Sequence, residues 1–417
     1  QIPFEVGVWF GLLGILLCSM LGGMRAVTWT QVAQYIVLII AYLIPVIWMS
    51  NKQGFGVIPQ FSYGEAVARV AELEVMHQLG VVKAASVAGL KALSVPHAAA
   101  GDPWKFVTLV ACMMLGTASL PHILMRYFTT PSVKAARQSV AWSLLFIFML
   151  YFTAPALATF TKLQVLDPNL ATGIIGKAFA DVQALDWVQK WSSVGFLKII
   201  DSNSDGLLQI NEFFMRGDIV VLATPEIAGL PYVISGLVAA GGMAAAMSTA
   251  DGLLLAIANA LSHDLYYKMI DPNADTKHRL IVARVLLVIL GAAAAFIASL
   301  KLTSILGAVA WAFDFAMSGL FFPLVLGIWW KRCNRQGAVA GMIAGFCAGT
   351  WYLYQVRWGG MTPWMGIDHL RFGIIGASVS LVTTIVVTLV TPEPDAETQK
   401  MVDEMRIPMG KTIIDQE

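Results

Sequence analysis

The chain has 417 residues, of which 58% are hydrophobic and 13% charged, and its net charge is +1. Soluble domains are about one quarter charged, so this composition indicates a membrane protein and gives no basis for binding nucleic acid. The four cysteines lie in or beside apolar segments without a CxxC pair, which favours small core residues over a disulfide framework or metal site. Residue 1 is Gln, and we expect the natural chain to begin upstream of it.

Nine apolar runs have about the length that crosses a bilayer, roughly 20 residues. Together with the low charge, they predict an all-α polytopic membrane protein rather than a large soluble protein with buried helices. In chain order the runs are residues 4–22, 29–49, 104–126, 138–161, 231–262, 281–300, 304–330, 337–355 and 372–391.

Lysine and arginine are unevenly distributed between the short loops on the two sides of the predicted bundle. The positive-inside rule places the richer set in the cytoplasm, together with the polar tail after Thr391, which we expect to be loosely ordered. The richer set is Arg25, Arg126, Lys134, Arg137, Lys268, Lys277, Arg279, Arg284, Lys331, Arg332 and Arg335, and the poorer set is Lys301, Arg357 and Arg371.

Two long connections then fall outside the cell. The first contains an amphipathic stretch, Tyr63–Leu79, in which apolar residues recur among acidic and basic ones. This pattern predicts a helix that lies on the membrane surface or caps the bundle. The alternative is an ordinary solvated helix in a loop.

The second connection contains residues 201–212, which match the calcium loop D-x-[DN]-x-[DN]-G-x5-E at every defined position. Alternate side chains would supply oxygens, Gly206 would permit the sharp turn, and a final carboxylate would close the site. The apolar flanks predict a helix–loop–helix with a weak structural calcium site, and the alternative is a polar turn followed by a helix. The predicted ligands are Asp201, Asn203, Asp205, the Leu207 carbonyl and Glu212.

The run at 231–262 is rich in small residues in its first half, which allows another helix to approach closely. Ala245, Ser248, Thr249 and Gly252 recur at helical spacing and therefore share one face. Two hydroxyls on such a face offer oxygens to a dehydrated sodium ion, with backbone carbonyls completing the site. The alternative is that both hydroxyls bond back to their own helix.

Two carboxylates lie inside apolar runs, where an ionised group is costly and is usually paired or functional. Asp251 follows Ser248 by three residues on nearly the same helix face, and Asp314 lies within the run 304–330. For each acid, the alternative is a structural hydrogen bond to a neighbouring helix.

These residues resemble a known family. Residues 242–249 (GMAAAMST) and 262–266 (SHDLY) resemble the sodium-site helix of the sodium:solute symporter family, while 120–124 (LPHIL) and 22–29 (GGMRAVTW) resemble its acetate permease branch. The resemblance covers nearly all of the chain outside the two long connections. It implies an inverted-repeat sodium symporter fold of five plus five core helices, with substrate and sodium bound at mid-membrane between broken helices.

On that fold the chain resembles core helices 4–10 followed by two C-terminal helices. The resemblance implies that the first three core helices are absent, including the broken helix that completes the main sodium site, so this chain would not transport alone. The expected organisation is core helices 4–5 at 1–49, an external loop with an amphipathic helix at 50–103, core helices 6–7 at 104–161, an external loop with the calcium-like segment at 162–230, core helices 8–10 at 231–330, accessory helices at 331–391 and a cytoplasmic tail at 392–417.

The resemblance also implies the ion ligands. Sodium would bind the Ala245 carbonyl and the hydroxyls of Ser248 and Thr249. In several family members an aspartate on the fifth helix faces a serine on the eighth helix in a second cation site. This chain has Gln31 at the first position and Asp251 at the second. We therefore expect these two residues to face each other and to bind a second cation or a proton.

The substrate site is expected where Gly and Pro weaken the sixth core helix and a half-helix N-terminus can face a carboxylate. Small side chains at this break favour a small solute over a sugar. His122 is either a gate or a core histidine. The candidate substrate residues are Gly116, Thr117, Pro121, His122 and Asp314.

These features predict a multi-pass protein of the bacterial inner membrane that carries a small monocarboxylate such as acetate on a sodium or proton gradient. Sodium and calcium are the expected bound ions, lipid surrounds the chain, and a small membrane subunit is left open as a partner. Pyruvate, propionate and glycolate rank just behind acetate, and proline or a sugar ranks well below. The sequence contains no catalytic motif such as HExxH or GxSxG, so we expect no enzyme. The rival class is a transporter-like sensor of small organic acids with a separate signalling partner.

Overall fold

The computed structural model describes residues 4–77 and 102–406, which are mostly helical. Residues 78–101 of the predicted external loop and 407–417 of the predicted tail lie outside the described residues. The elements in chain order are α1 (Phe4–Lys52), α2 (Pro59–Met76), α3 (Pro103–Ala118), α4 (Pro121–Leu124), α5 (Val133–Leu166), α6 (Phe179–Gln183), α7 (Asp186–Ser193), β1 (Leu197–Ile199), β2 (Phe213–Met215), α8 (Val220–Ile227), α9 (Tyr232–Asn259), α10 (Thr276–Ser299), α11 (Ile305–Ala316), α12 (Phe322–Trp329), α13 (Arg335–Arg357), α14 (Gly373–Val390) and α15 (Ala396–Glu404).

Each predicted apolar run coincides with a helix, which confirms the all-α class. Among the described residues, six helices are long and apolar enough to cross a membrane, and a pair bent by 45°, Pro103–Ala118 with Pro121–Tyr127, makes seven. This count is lower than the nine apolar runs of the sequence. Val6–Met20 is shorter than a span, and α13, with 23 residues, is long enough but too rich in small residues to be strongly apolar.

The chain divides into two compact units. Of the described residues, unit 1 comprises 4–77 and 143–301, and unit 2 comprises 102–142 and 302–406.

In unit 1 the long helix α1 is broken at Gly23, whose φ of 57° and ψ of −159° suit glycine because it has no Cβ. The break lies between the predicted core helices 4 and 5. Leu12 and Val27, one on each side of the break, share a buried cluster with Leu254 of α9 and Leu287 of α10. Both halves of α1 therefore pack against the same two helices.

A second core of unit 1 joins α2, the C-terminal end of α5 and the segment from α6 to α8. Helix α2 buries Ala66, Val70 and Leu73 there, and its Glu74 forms a buried ion pair with Lys162 of α5. Residues 63–76 of the predicted amphipathic stretch thus belong to α2, which packs its apolar face on this core instead of forming a separate solvated helix, and residues 78–79 of the stretch lie outside the described residues.

The predicted helix–loop–helix around residues 201–212 is wrong. The flanking segments form the strands β1 and β2, which pair antiparallel with Leu197 opposite Met215 and Ile199 opposite Phe213. Leu197, Phe213 and Met215 are buried on the inner face of this pair. Because side chains alternate between the faces of a strand, three residues suffice to bury these groups, whereas a helical turn would expose some of them.

In unit 2, α13 packs closely against α14. Glycines recur every four residues along the contact face of α13, and a Cβ added at Gly345 would lie 2.1 Å from the Ser318 carbonyl oxygen and 2.9 Å from that of Gly376. Only a residue without a side chain permits this approach of two helix backbones.

The tail is more ordered than predicted. Within residues 391–406, helix α15 buries Val402, and its Asp403 forms an ion pair of 2.7 Å with Lys331 in the connection between α12 and α13. Glu393 pairs with Arg332 in the same connection. The expectation of a loosely ordered tail is therefore wrong for this part, because the tail's acids meet the basic residues that follow α12.

Candidate ion and substrate site

The predicted sodium ligands lie together on one turn of α9. Ser248 Oγ donates a hydrogen bond of 2.9 Å to the Ala245 carbonyl oxygen, and Thr249 Oγ1 donates one of 3.4 Å to the same atom. Both hydroxyls thus make the bond to their own helix that was the alternative to sodium binding. The same geometry places both hydroxyl oxygens within hydrogen-bonding distance of the Ala245 carbonyl oxygen, so that three neutral oxygens lie on one turn.

Small residues bring the second half of α1 onto this turn. A Cβ added at Gly241 would lie 2.7 Å from the Ala41 side chain, so glycine is required for the approach. One consequence is that Gln31 reaches α9, where its Nε2 donates a hydrogen bond of 2.6 Å to the Ser248 carbonyl oxygen. The amide therefore holds the backbone of the turn that carries the hydroxyls.

Asp251 lies on the following turn of α9 and is fully buried. Its Oδ1 accepts a hydrogen bond of 2.8 Å from Ser19 Oγ in the first half of α1. Its Oδ2 is buried and has no hydrogen-bond partner among the described residues. The carboxylate is therefore anchored on one side and free on the other.

Ser19 was not singled out from the sequence. The available signal was a lone hydroxyl in the apolar run 4–22, but a serine there is equally consistent with a bond to its own helix. Gln31 reaches the segment of α9 that carries Asp251, yet it donates its hydrogen bond to the Ser248 carbonyl, while Asp251 accepts one from Ser19. Their joint role in binding a second cation or a proton stays a prediction.

In unit 2 the predicted break in the sixth core helix is present, between α3 and α4. The hydroxyl of Thr117 bonds to the Met113 carbonyl. The amides of Ile123 and Leu124 both bond to the Leu120 carbonyl, at 3.1 and 3.3 Å. Because α4 has only four residues and consumes these amides, the break offers fewer free donors to a carboxylate than expected.

Two further candidates lie inside unit 2. His122 Nδ1, just after the break, is buried without a partner among the described residues. Gly116 contacts α11 so closely that a Cβ would lie 2.6 Å from the Phe313 carbonyl oxygen. Gly116 is therefore explained by helix packing, whereas the histidine ring nitrogen remains available.

Asp314 is fully buried in α11. A Cβ added at Gly373, the first residue of α14, would lie 2.7 Å from Asp314 Oδ1. The carboxylate thus sits against the N-terminus of α14, where the partial positive charge of the helix stabilises an anion. Both carboxylate oxygens are buried without a hydrogen-bond partner among the described residues, so the structural hydrogen bond of the alternative is not observed and a role in substrate binding stays a prediction.

In the calcium-like loop most carboxylate oxygens accept hydrogen bonds from the loop's own donors, and Asp201 Oδ1 is buried without a partner among the described residues. Glu212 is fully buried, and its carboxylate accepts hydrogen bonds from the backbone amides of Ser202, at 2.8 Å, and Gln209, at 3.0 Å. Asp201 Oδ2 accepts the amide of Gly206 at 3.2 Å. Across residues 4–77 and 102–406, no three His, Cys, Asp or Glu side chains converge to hold a metal ion.

Both carboxylate oxygens of Asp205 also accept hydrogen bonds from within the loop. The Leu207 amide donates to its Oδ1 at 2.8 Å and Asn203 Nδ2 to its Oδ2 at 2.8 Å. These two hydrogen bonds, with that of Leu207 the stronger influence, hold the pKa of Asp205 below its usual value. In this conformation the loop stabilises its own carboxylates.

Known proteins resemble the chain over nearly its whole length. The sodium:solute symporter family matches residues 1–181 and 220–345. An uncharacterized symporter of Cupriavidus necator is 37% identical, with 97% of this chain and 72% of that protein covered. The sodium/proline symporter of Escherichia coli is 26% identical over 95% of this chain, which spans 64% of the E. coli protein.

The fold has a solved counterpart. The structure of a Na+-coupled sialic acid symporter in a substrate-bound, outward-open state matches with a TM-score of 0.58 at 16% identity, covering 94% of this chain and 68% of that one. At this identity the match concerns the fold, and it confirms the predicted sodium symporter fold. The family that matches is a family of transporters, with which the expectation of no enzyme is consistent, and the matches do not distinguish the acetate permease branch. The chain belongs to the sodium:solute symporter family.

Proposed function

We propose that the protein carries a small monocarboxylate such as acetate into the cell on an inward sodium gradient. The observation that carries sodium coupling is the oxygen cluster formed by Ala245, Ser248 and Thr249 on one turn of α9. Carbonyl and hydroxyl oxygens suit a dehydrated monovalent cation. When the ion arrives, each hydroxyl rotates its proton away from the Ala245 carbonyl, so that three lone pairs face the cation.

In this proposal Asp251 binds the second cation or a proton. Its free Oδ2 lies in a buried position, where an unpartnered carboxylate oxygen is costly and is offset by a cation or a proton. Ser19 fixes the other oxygen, so the carboxylate keeps its direction when the ion leaves. Gln31 belongs to the same site through its bond to the Ser248 carbonyl.

Three observations support a small monocarboxylate as the solute. The residues at the break between α3 and α4 are small, with Gly116 packed against α11 and Thr117 and Ser119 after it, and small side chains favour a short solute over a large one. His122 offers a buried ring nitrogen that can donate to a carboxylate. The segment 120–124 carries the resemblance to acetate permeases. Proline, named for the E. coli relative, is the competing solute.

The distribution of basic residues supports the orientation in this proposal. The short loops rich in Lys and Arg and the tail with α15 lie in the cytoplasm, and the long connections lie outside a bacterial inner membrane.

Uptake of labelled acetate by the whole protein in proteoliposomes tests the proposal. We expect uptake to require an inward sodium gradient and to fall at least tenfold in Ser248→Ala, because one of the ion's three ligands on α9 is removed. The matched control is Ser235→Ala, a serine on the same helix outside the cluster. If a proton gradient drives acetate uptake at equal sodium on both sides, the coupling ion is a proton bound at Asp251 and not sodium. If a sodium gradient drives uptake of proline but not of acetate, the transported solute is proline.

If neither gradient drives uptake of any short monocarboxylate or proline, transport is contradicted. The sensor of small organic acids then becomes the function to test, by solute binding to the purified protein without translocation.

A second proposal concerns the external loop. We propose that residues 201–212 bind calcium weakly, because Asp201 Oδ1 is buried without a partner and points to a missing ligand. Calcium would take this oxygen together with Asn203, Asp205, the Leu207 carbonyl and Glu212. Binding requires Glu212 to release the Ser202 and Gln209 amides, which keeps the affinity in the millimolar range of extracellular sites.

A further inference from the structure

Arg284 is a charged residue inside a membrane helix. It lies eight residues after Thr276, the first residue of α10, and therefore roughly 12 Å along the helix at 1.5 Å per residue. Its Nε donates a hydrogen bond of 3.2 Å to the Met20 carbonyl oxygen, three residues before the break of α1 at Gly23. The guanidinium thus satisfies a carbonyl at the end of the first half of α1, as basic side chains do at helix C-termini.

This bond leaves the charge of Arg284 without a counter-ion. Among the described residues, no carboxylate forms an ion pair with it. A carbonyl accepts a hydrogen bond but cannot neutralise a cation, so the Nη groups of Arg284 are left to bind an anion.

A cavity of about 500 Å³ opens beside the guanidinium. Its polar lining consists of Arg284, Ser19 and Asn259, and the rest is formed by small or aliphatic residues such as Gly22, Gly23 and Ala283. The volume suits a group of several polar atoms, and the positive charge selects an anionic one.

An apolar groove of about 290 Å³ adjoins the same arginine. One side of the groove is formed by four exposed residues on one face of α10: Ile281, Val285, Val288 and Ile289. Met20 lines the opposite side. The four α10 residues recur at helical spacing over eight residues, so the groove runs roughly 12 Å along α10. It contains no polar group other than Arg284.

We propose that this composite site binds one phospholipid of the surrounding bilayer, with its phosphate on Arg284 and an acyl chain in the groove. The planar guanidinium matches the oxygens of a phosphate, and basic pockets between membrane helices recognise anionic headgroups. The groove distinguishes a lipid from free phosphate, which has nothing to place along α10. Because Arg284 also holds the end of the first α1 half, which carries Ser19, a bound lipid steadies the segment that anchors Asp251.

Native mass spectrometry of the whole protein in detergent, titrated with phosphatidylglycerol, tests the proposal. We expect a bound lipid in the wild type, about fivefold weaker binding in Arg284→Gln from the loss of one basic side chain, and retention in Arg284→Lys. Val288→Trp fills the groove and should also weaken binding while leaving the arginine in place. The matched controls are Arg279→Gln, whose guanidinium lies over the Tyr267 ring at 3.7 Å, and Ile297→Trp, an exposed residue elsewhere on α10.

Two other probes separate the parts of the site. A diacylglycerol with the same acyl chains should bind at least fivefold more weakly, because it lacks the phosphate. Inorganic phosphate at equal concentration should not displace the lipid. The proposal is overturned if Arg284→Gln binds phosphatidylglycerol like the wild type, if diacylglycerol binds equally well, or if inorganic phosphate competes equally. Should Arg284→Gln fail to fold, unchanged binding in Val288→Trp would overturn it instead.

Discussion

Two segments of unit 1 match a cation site by sequence, the turn 245–251 of α9 and the external loop 201–212, and the structure treats them differently. In α9 the backbone amides are used by the helix itself, so Asp251 keeps a free oxygen. In the loop the amides are not used by regular structure, and they bond to Glu212, Asp205 and one oxygen of Asp201 instead, while Asp201 Oδ1 has no partner among the described residues. An acidic side chain is thus available to an ion where local backbone donors are already satisfied.

Among the substitutions that test this difference between the two segments, we expect the largest effect from Asp251→Asn. The amide keeps the size of the side chain but removes the charge, and interactions with a charged group are worth about 1.5–3 kcal/mol. We expect the cation concentration that gives half-maximal uptake to rise more than tenfold, while the protein still folds. Ion-dependent uptake in proteoliposomes measures it, with Asp264→Asn, an exposed acid in a cation-rich segment, as the control. An unchanged cation dependence and stoichiometry would remove Asp251 from the site.

A smaller effect is expected from Ser19→Ala, which deletes the partner of Asp251. The loss of this buried hydrogen bond should lower the free energy of unfolding by about 1–3 kcal/mol, seen as a lower midpoint in thermal unfolding. In the Asp251→Asn background the same change should cost clearly less, because the two residues act as a pair. Cys18→Ala is the neighbouring control. Equal losses in both backgrounds would show that Ser19 acts independently of Asp251.

The loop should respond more weakly to Glu212→Gln. Glutamine has one acceptor oxygen for two amides, so one hydrogen bond is lost, at a cost of about 1 kcal/mol. Calorimetry with millimolar calcium on the intact protein should show weak heat of binding in the wild type and none in the variant. Glu72→Gln on α2, an exposed acid outside the loop, is the control. Equal binding in wild type and Glu212→Gln, or none in either, would contradict the calcium proposal.

The smallest effect is the pH dependence of the loop. The pKa of Asp205 is lowered by the Leu207 amide and the Asn203 side chain, so its ionised form is favoured in the folded loop. The stabilisation is present above the ordinary aspartate pKa of about 3.9 and is lost as pH falls through the lower folded value. The Leu207 amide resonance should shift in that acidic window, and Asp205→Asn should abolish the shift. A Leu207 resonance that titrates identically in both proteins would show that another group is responsible.

The sequence by itself determined the features that depend on local composition and spacing. Apolar runs located the helices, the Gly and Pro residues near 116–121 located the break between α3 and α4, and helical spacing gathered Ala245, Ser248 and Thr249 on one turn. These features follow from hydrophobicity, backbone restrictions and the period of the helix, which need no knowledge of distant residues. Local spacing failed at residues 196–215, where apolar flanks predicted helices and cross-strand pairing formed β1 and β2.

Only the tertiary structure decided which polar groups meet. Ser19 and Asp251 are 232 residues apart in the chain, and Lys162 pairs with Glu74 across 88 residues. The role of Asp314 against α14 and the contact of the tail with Lys331 likewise depend on helices that approach after folding. A buried polar group must find a partner, but the choice of partner is made by whichever backbones pack close together, and single-sequence patterns do not contain that information.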